Sequence, residues 1–226
     1  MKHNALIILE RPWGCNEQDQ NVVSVLPYFQ GLERLDGGFD LYHTNFYEAK
    51  SFKMALDELT QMDYDNYYVY IACHGAGLRM GKMNLSTVLG EINSKAQKRN
   101  ITGVVLGSCL VGNNTTHLEV YTESSSINWK IGYKCSVDWL EGTLLDLKLF
   151  HQLMKLDEED LYDNDEILER VKRALYTYDP AASIGSDKND KPMRIDDSLT
   201  FVVQSKGRGN KAKDYSQKLY EYRLSD

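Results

Sequence analysis

Tyr68-Val69-Tyr70-Ile71-Ala72-Cys73-His74-Gly75 and Thr102-Gly103-Val104-Val105-Leu106-Gly107-Ser108-Cys109 are built alike. Each is an apolar run of strand character that ends on a small-residue turn. Each carries one reactive side chain at its carboxyl end, an imidazole in the first and a thiol in the second. In open α/β sheets, ligands and chemistry gather in the crevice outside the carboxyl ends of the strands. Cysteine beside histidine is the pairing that nucleophilic acyl transfer uses. The two runs set both the fold class and the first candidate residues, His74 and Cys109.

Working outward, strand and helix patterns alternate. Ala5–Leu9 reads as a buried strand and Val22–Leu35 as a helix, with Val22, Val25, Leu26, Phe29 and Leu32 on one face. Gly37-Gly38 breaks that helix, and Phe39–Thr44 reads as a second strand. Ser51 is a plausible N-cap for a helix carrying Phe52, Ala55, Leu56 and Leu59. Tyr67–Cys73 is the third strand, Gly77–Met83 a small hairpin, and Val88, Leu89, Ile92 and Ala96 mark another helix.

Ile101–Leu106 and Trp129–Cys135 are the fourth and fifth strands. The run Leu140–Leu156 predicts a central, largely buried helix. A further helix starts near Asp165 and stops at Pro180. Ser183–Asp197 reads as a polar loop, Leu199–Val203 as an edge strand and Tyr215–Leu224 as a terminal helix. The pattern predicts a three-layer α-β-α domain, with a mostly parallel sheet of about six strands and helices on both faces. With no internal repeat and no linker, one domain spanning 1–226 is the simplest count.

Lys and Arg total 26 against 33 Asp and Glu, a formal charge of −7. That balance argues against nucleic acid as a partner. The basic cluster Lys206, Arg208, Lys211 and Lys213 is Gly-rich and reads as a solvated loop, or as a cleavage site. The apolar stretch at the amino terminus is too short for a signal peptide or a membrane span, so the expectation is a cytoplasmic protein with no membrane partner. Cys15, Cys73, Cys109 and Cys135 show no paired spacing and are expected as free thiols.

An unperturbed thiol is only a few per cent ionised at neutral pH and needs a base or a helix amino terminus to become a nucleophile. Gly107-Ser108 before Cys109 and Gly112 after it permit a tight turn that leaves the Cys109 N–H pointing outward. Gly75 frees the backbone after His74 to aim its own N–H at a substrate oxygen. By the period-two rule, Cys73 points into the core, away from His74. A zinc site is disfavoured, since no C-x-x-C or H-x-x-x-H spacing is present; no metal and no cofactor is expected.

A third strand end, Gly132-Tyr133-Lys134-Cys135-Ser136-Val137-Asp138-Trp139, finishes on an acid. Asp138 either lines a pocket that selects Lys or Arg through a charge-assisted pair or caps the helix starting near Leu140. Glu10, at the end of the first strand, is either a second pocket acid or a solvated loop acid. His151 reads as a core or surface histidine, and His3, His43 and His117 have no evident partner.

His74-Gly75 at one strand end, Ser108-Cys109 at the next, and then a Gly-to-Asp-Trp strand resemble the caspase, metacaspase and gingipain superfamily. Small stand-alone bacterial caspase-like proteins are also similar. The order is that family's, with Cys109 following His74 by 35 residues, an interval shorter than the roughly 50 of caspases. The animal caspase pentapeptide is absent; Gly112 falls one place late.

The resemblance implies a cysteine endopeptidase with Cys109 as nucleophile and His74 as general acid/base. It also implies an oxyanion hole from the Gly75 and Cys109 N–H groups and a protein or peptide substrate. Family members whose fifth strand ends on an acid commonly cut after basic residues, which leans Asp138 toward Lys or Arg at P1. Stand-alone bacterial relatives have been linked to antiviral and cell-death pathways, which implies latency relieved by an activating partner or a small-molecule signal. The alternative is a catalytically silent module of the same fold that binds a partner or a signal.

Overall fold

Alternate side chains of the central strands enter two different cores, and that alternation builds the layers. The computed structural model describes residues 3–13, 23–123 and 125–223. In chain order the first half runs β1 (Asn4–Glu10), α1 (Leu26–Asp36), β2 (Phe39–Asn45), α2 (Ala49–Leu59) and β3 (Asn66–Ala72). A three-stranded miniature sheet of β4 (Gly75–Ala76), β5 (Arg79–Met80) and β6 (Met83–Asn84) follows, then α3 (Leu85–Ala96) and β7 (Ile101–Gly107). The second half holds α4 (Thr115–Glu123), β8 (Trp129–Tyr133), β9 (Ser136–Val137), α5 (Trp139–Leu153) and α6 (Asn164–Leu175). It closes with β10 (Ser183–Ser186), β11 (Pro192–Arg194), α7 (Ile195–Ser198), β12 (Leu199–Val203), β13 (Lys213–Asp214) and a 3-10 stretch, Ser216–Arg223.

The central sheet has the order β13-β12-β8-β7-β3-β1-β2. Its strands from β8 to β2 are parallel, while at one side β12 runs antiparallel to β8 and β13 antiparallel to β12. Leu6 and Ile8 of β1 join one core with Phe29 of α1, Leu145, Leu149 and Phe150 of α5, and Val171 of α6. Ala5, Ile7 and Leu9 join the other with Phe52 of α2, Leu89 of α3 and Leu118 of α4. Strands buried on both faces read as continuous apolar runs, which is why β3 and β7 were recognisable. This is the α/β architecture expected, with seven strands rather than about six.

Several elements differ from the sequence reading. α1 starts at Leu26, because Pro27 sits in its first turn and Ser24 and Val25 are held elsewhere. Val22 and Cys15 lie outside the described residues. Glu48, not Ser51, is the N-cap of α2. Its carboxylate accepts from the Ser51 N–H while the Ser51 hydroxyl accepts from the Glu48 N–H, a capping box with the residue types exchanged.

α5 buries Leu145, Leu149, Phe150 and Leu153, whereas Leu140 and Leu144, counted with the apolar run, lie on its outer face. The polar tract after Ser183 forms the β10–β11 hairpin, and β10 pairs with β9. Leu199–Val203 is not the edge, since two-residue β13 covers it. The last segment is a 3-10 stretch rather than an α-helix. No helix among the described residues is long and apolar enough to cross a membrane.

Trp129 fits the core because Gly103, its partner on β7, has no side chain. A methyl there would lie 2.0 Å from the indole ring. Trp129 also stacks on Tyr68, with ring centroids 6.0 Å apart. Gly103→Ala overpacks this layer and should destabilise the protein by about 1–3 kcal/mol. Urea unfolding of the variant with an unchanged midpoint would show that the layer repacks freely.

Candidate active site

The parallel register carries the ends of β3 and β7 to one rim, Ala72 opposite Gly107. Cys73, next after β3, turns into the core and is fully buried. His74 then emerges to solvent, as alternation requires. On the neighbouring strand, buried Ser108 ties the two turns together. Its hydroxyl lies 2.8 Å from the Cys73 carbonyl and 3.1 Å from the Cys73 sulfur. Cys109 follows and is partly exposed.

The tightest contact in this region lies between backbones. A methyl on Gly75 would sit 2.4 Å from the Cys109 carbonyl oxygen and 2.8 Å from its nitrogen. Only glycine lets the turn after His74 lie against Cys109. The ladder bond flanking Gly75 runs from the Gly81 N–H to the His74 carbonyl. Gly75 therefore occupies a non-hydrogen-bonded position of its hairpin.

Among the described residues, the Cys109 N–H donates to no acceptor. The next residue, Leu110, is left-handed at φ 64°, and its N–H is held by the Cys135 carbonyl at 2.9 Å. That conformation costs roughly 1–2 kcal/mol in a residue with a side chain. The strain sits directly beside the thiol.

Three cysteines fall among the described residues, and their environments differ. Burial is the leading influence on two of them, pushing Cys73 up to about 11 and Cys135 up to about 12. Both stay protonated at neutral pH. Cys109 alone of the three reaches solvent, and the Ser136 hydroxyl approaches its sulfur at 3.8 Å.

His74 and Cys109 line one cavity of about 160 Å³, close to the roughly 150 Å³ of an engineered cavity that holds benzene. One side chain of that size fits. Its walls include Trp13, Tyr70, Tyr133, Val137 and Trp139, and one carboxyl, that of Asp146, lies among them. Asp146 is 1% exposed on the inner face of α5. The Tyr70 and Tyr133 hydroxyls each donate to it at 2.7 Å. Among the described residues no cation pairs with it. Burial dominates and raises its pKa to about 7, against the two phenol hydrogen bonds.

The Nε2 atom of His74 lies 3.1 Å from the Trp13 carbonyl oxygen, which can only accept. Nε2 must therefore carry the proton, leaving Nδ1 as the basic nitrogen of the neutral ring. The Trp13 indole meets the imidazole edge-on, with centroids 4.9 Å apart.

The two acids singled out from sequence sit elsewhere. Asp138 is exposed and outside the cavity lining. It occupies the N-cap position of α5 without a side-chain cap bond, and only its carbonyl engages the helix, accepting from Gly142. Glu10 is neither solvated nor part of the cavity lining; it is 1% exposed and fully occupied by internal donors. His43 is one of those donors, at 2.9 Å.

Asp146, Trp13, Tyr70, Tyr133 and Ser136 were not found by the sequence reading. Asp146 left a signal there. It shares the helical face of Leu145, Leu149 and Phe150, so a charged residue was bound to fall on the buried side.

No protein-family model and no curated protein matches the chain. One solved structure that it resembles is that of a secreted C11 cysteine protease from Bacteroides thetaiotaomicron in complex with an irreversible peptide inhibitor. The TM-score is 0.48 at 9% identity, over 90% of this chain and 66% of that one. A likeness of this order leaves the chemistry of the site to be argued from its residues.

Because the folded Asp146 pKa of about 7 lies above the unfolded value of about 3.9, folding takes up a proton between them. Its contribution is fully present below about pH 4 and is lost as pH rises through about 7. Asp146→Asn should therefore gain stability relative to wild type as pH rises, by an amount on the order of a few kcal/mol. Thermal melts from pH 4.5 to 8 test this. Parallel curves for the two proteins would contradict it.

Proposed function

We propose that the protein is a cysteine endopeptidase that cuts after lysine or arginine. The observation that carries this reading is one cavity that joins an accessible thiol, an imidazole and a buried carboxyl that no cation among the described residues pairs with. In the proposed reaction, Cys109 gives its proton to Nδ1 of His74 and its sulfur attacks the scissile carbonyl carbon. His74 then returns the proton to the leaving amine. Water hydrolyses the acyl-enzyme with the same imidazole as base.

The N–H of Cys109, unpartnered among the described residues, and the N–H of Gly75, which the hairpin ladder does not use, supply the oxyanion donors. One such donor is typically worth about 2.7–4 kcal/mol in the transition state. Asp146 replaces Asp138 as the acid proposed to read the P1 side chain. The aromatic walls accept an aliphatic stem and stabilise a cation against their faces. An arriving ammonium or guanidinium supplies the charge that the buried carboxyl lacks, so ionisation becomes favourable on binding.

A positional-scanning peptide library is the test. Wild type should cleave after Lys and Arg, Cys109→Ala should cleave nothing, and both should melt alike. Asp146→Asn should reduce kcat/KM for basic P1 substrates by about 10–100-fold, the worth of a hydrogen bond to a charged group, while changing uncharged P1 substrates little. Cleavage retained by Cys109→Ala would remove that thiol from the mechanism. Unchanged selectivity in Asp146→Asn would remove the pocket acid.

A further inference from the structure

Glu10 is the most heavily bonded carboxylate at the rim, and it touches neither the cavity nor the thiol. Its Oε1 accepts from the Trp13 indole N–H at 3.0 Å and from the Val25 N–H at 3.1 Å. Its Oε2 accepts from the Ser24 hydroxyl at 2.6 Å and lies 2.9 Å from His43 Nε2. Burial opposes ionisation, but the hydrogen bonds from His43, Ser24, Val25 and Trp13 outweigh it and hold the carboxyl below the usual carboxylate range. A buried charge is tolerated only when its acceptor sites are filled in this way.

We propose that Glu10 is a positioning residue for His74 and acts through Trp13. The inference rests on the reading of His74 as acid/base, and it adds what sets the tautomer and orientation of that ring. Glu10 clamps the Trp13 indole. The same residue then offers two contacts to the imidazole, its carbonyl to the Nε2–H and its ring edge-on to the imidazole.

Without the clamp, the Trp13 carbonyl has no fixed place at the rim, and the proton of the neutral ring is free to sit on Nδ1. That tautomer presents an N–H where the thiol proton has to go. The arrangement draws on three separate segments of the chain. Glu10 and Trp13 leave the end of β1, His43 comes from β2, and Ser24 and Val25 lead into α1.

The test uses full-length protein labelled with 15N-histidine, with His74 assigned by comparison with His74→Gln. Long-range 1H–15N spectra at high pH report which ring nitrogen carries the proton. Wild type should show His74 protonated on Nε2. Trp13→Phe keeps an aromatic ring and the carbonyl but removes the indole N–H, while Glu10→Gln keeps the shape and removes the charge. Both should show a tautomer mixture and lose kcat on the order of 10²-fold, the cost of a small misplacement; in Glu10→Gln, whose side chain lies outside the cavity lining, KM should stay within about twofold.

Folded variants that keep the wild-type tautomer overturn the proposal, whether or not their kcat falls. The tautomer is read without substrate, so a protein that cleaves nothing still decides the positioning claim separately from the peptidase claim.

Discussion

The contact between the backbone of Gly75 and that of Cys109 is the constraint on which the site depends. A methyl at Gly75 would lie 2.4 Å from the Cys109 carbonyl, closer than van der Waals contact allows. The two strand ends are thereby locked together, with Ser108 bridging back to Cys73 beneath them. Everything else at the rim follows from that lock. Alternation buries Cys73 and exposes His74, and Leu110 takes a left-handed conformation directly after Cys109. The Cys109 N–H is left without a partner among the described residues. The parallel sheet supplies the register, and glycine supplies the clearance.

Two carboxylates, each 1% exposed, flank this lock and are treated in opposite ways. Glu10 is surrounded by four donors and held below the usual range, so it is a fixed charge. Among the described residues Asp146 receives two phenol hydrogen bonds in an aromatic pocket, and burial carries it up to about 7. A saturated carboxylate organises its neighbours, whereas an undersatisfied one leaves room for a ligand to complete it. On the proposed reading, one acid aligns the imidazole and the other receives the substrate; Glu10 has more donors to set against burial than Asp146 has.

Much of this was legible in the chain. Strands buried on both faces gave unmistakable apolar runs at β1, β3 and β7, and period two placed Cys73 and His74 on opposite sides. The acids were harder. Asp138 drew attention because it ends a strand, but the chain turns through β9 before α5 and carries that carboxylate to solvent. Asp146 was marked by helical period yet hidden in an apolar run. The bonds of Glu10 join β1, β2 and the entry to α1, and no local pattern encodes such tertiary contacts. The β10–β11 hairpin offers only Ile184 and Met193 as apolar side chains toward the core, too few to stand out as a strand pattern.

The most direct measurement is covalent capture. The protein is incubated at neutral pH with a lysyl or arginyl peptide chloromethyl ketone, and the adduct is located by peptide mapping. The account predicts one adduct, on Cys109, that forms faster with the basic reagents than with an aspartyl one, while Cys73 and Cys135 stay unmodified. An unlabelled Cys109, or equal labelling by the aspartyl reagent, would contradict it.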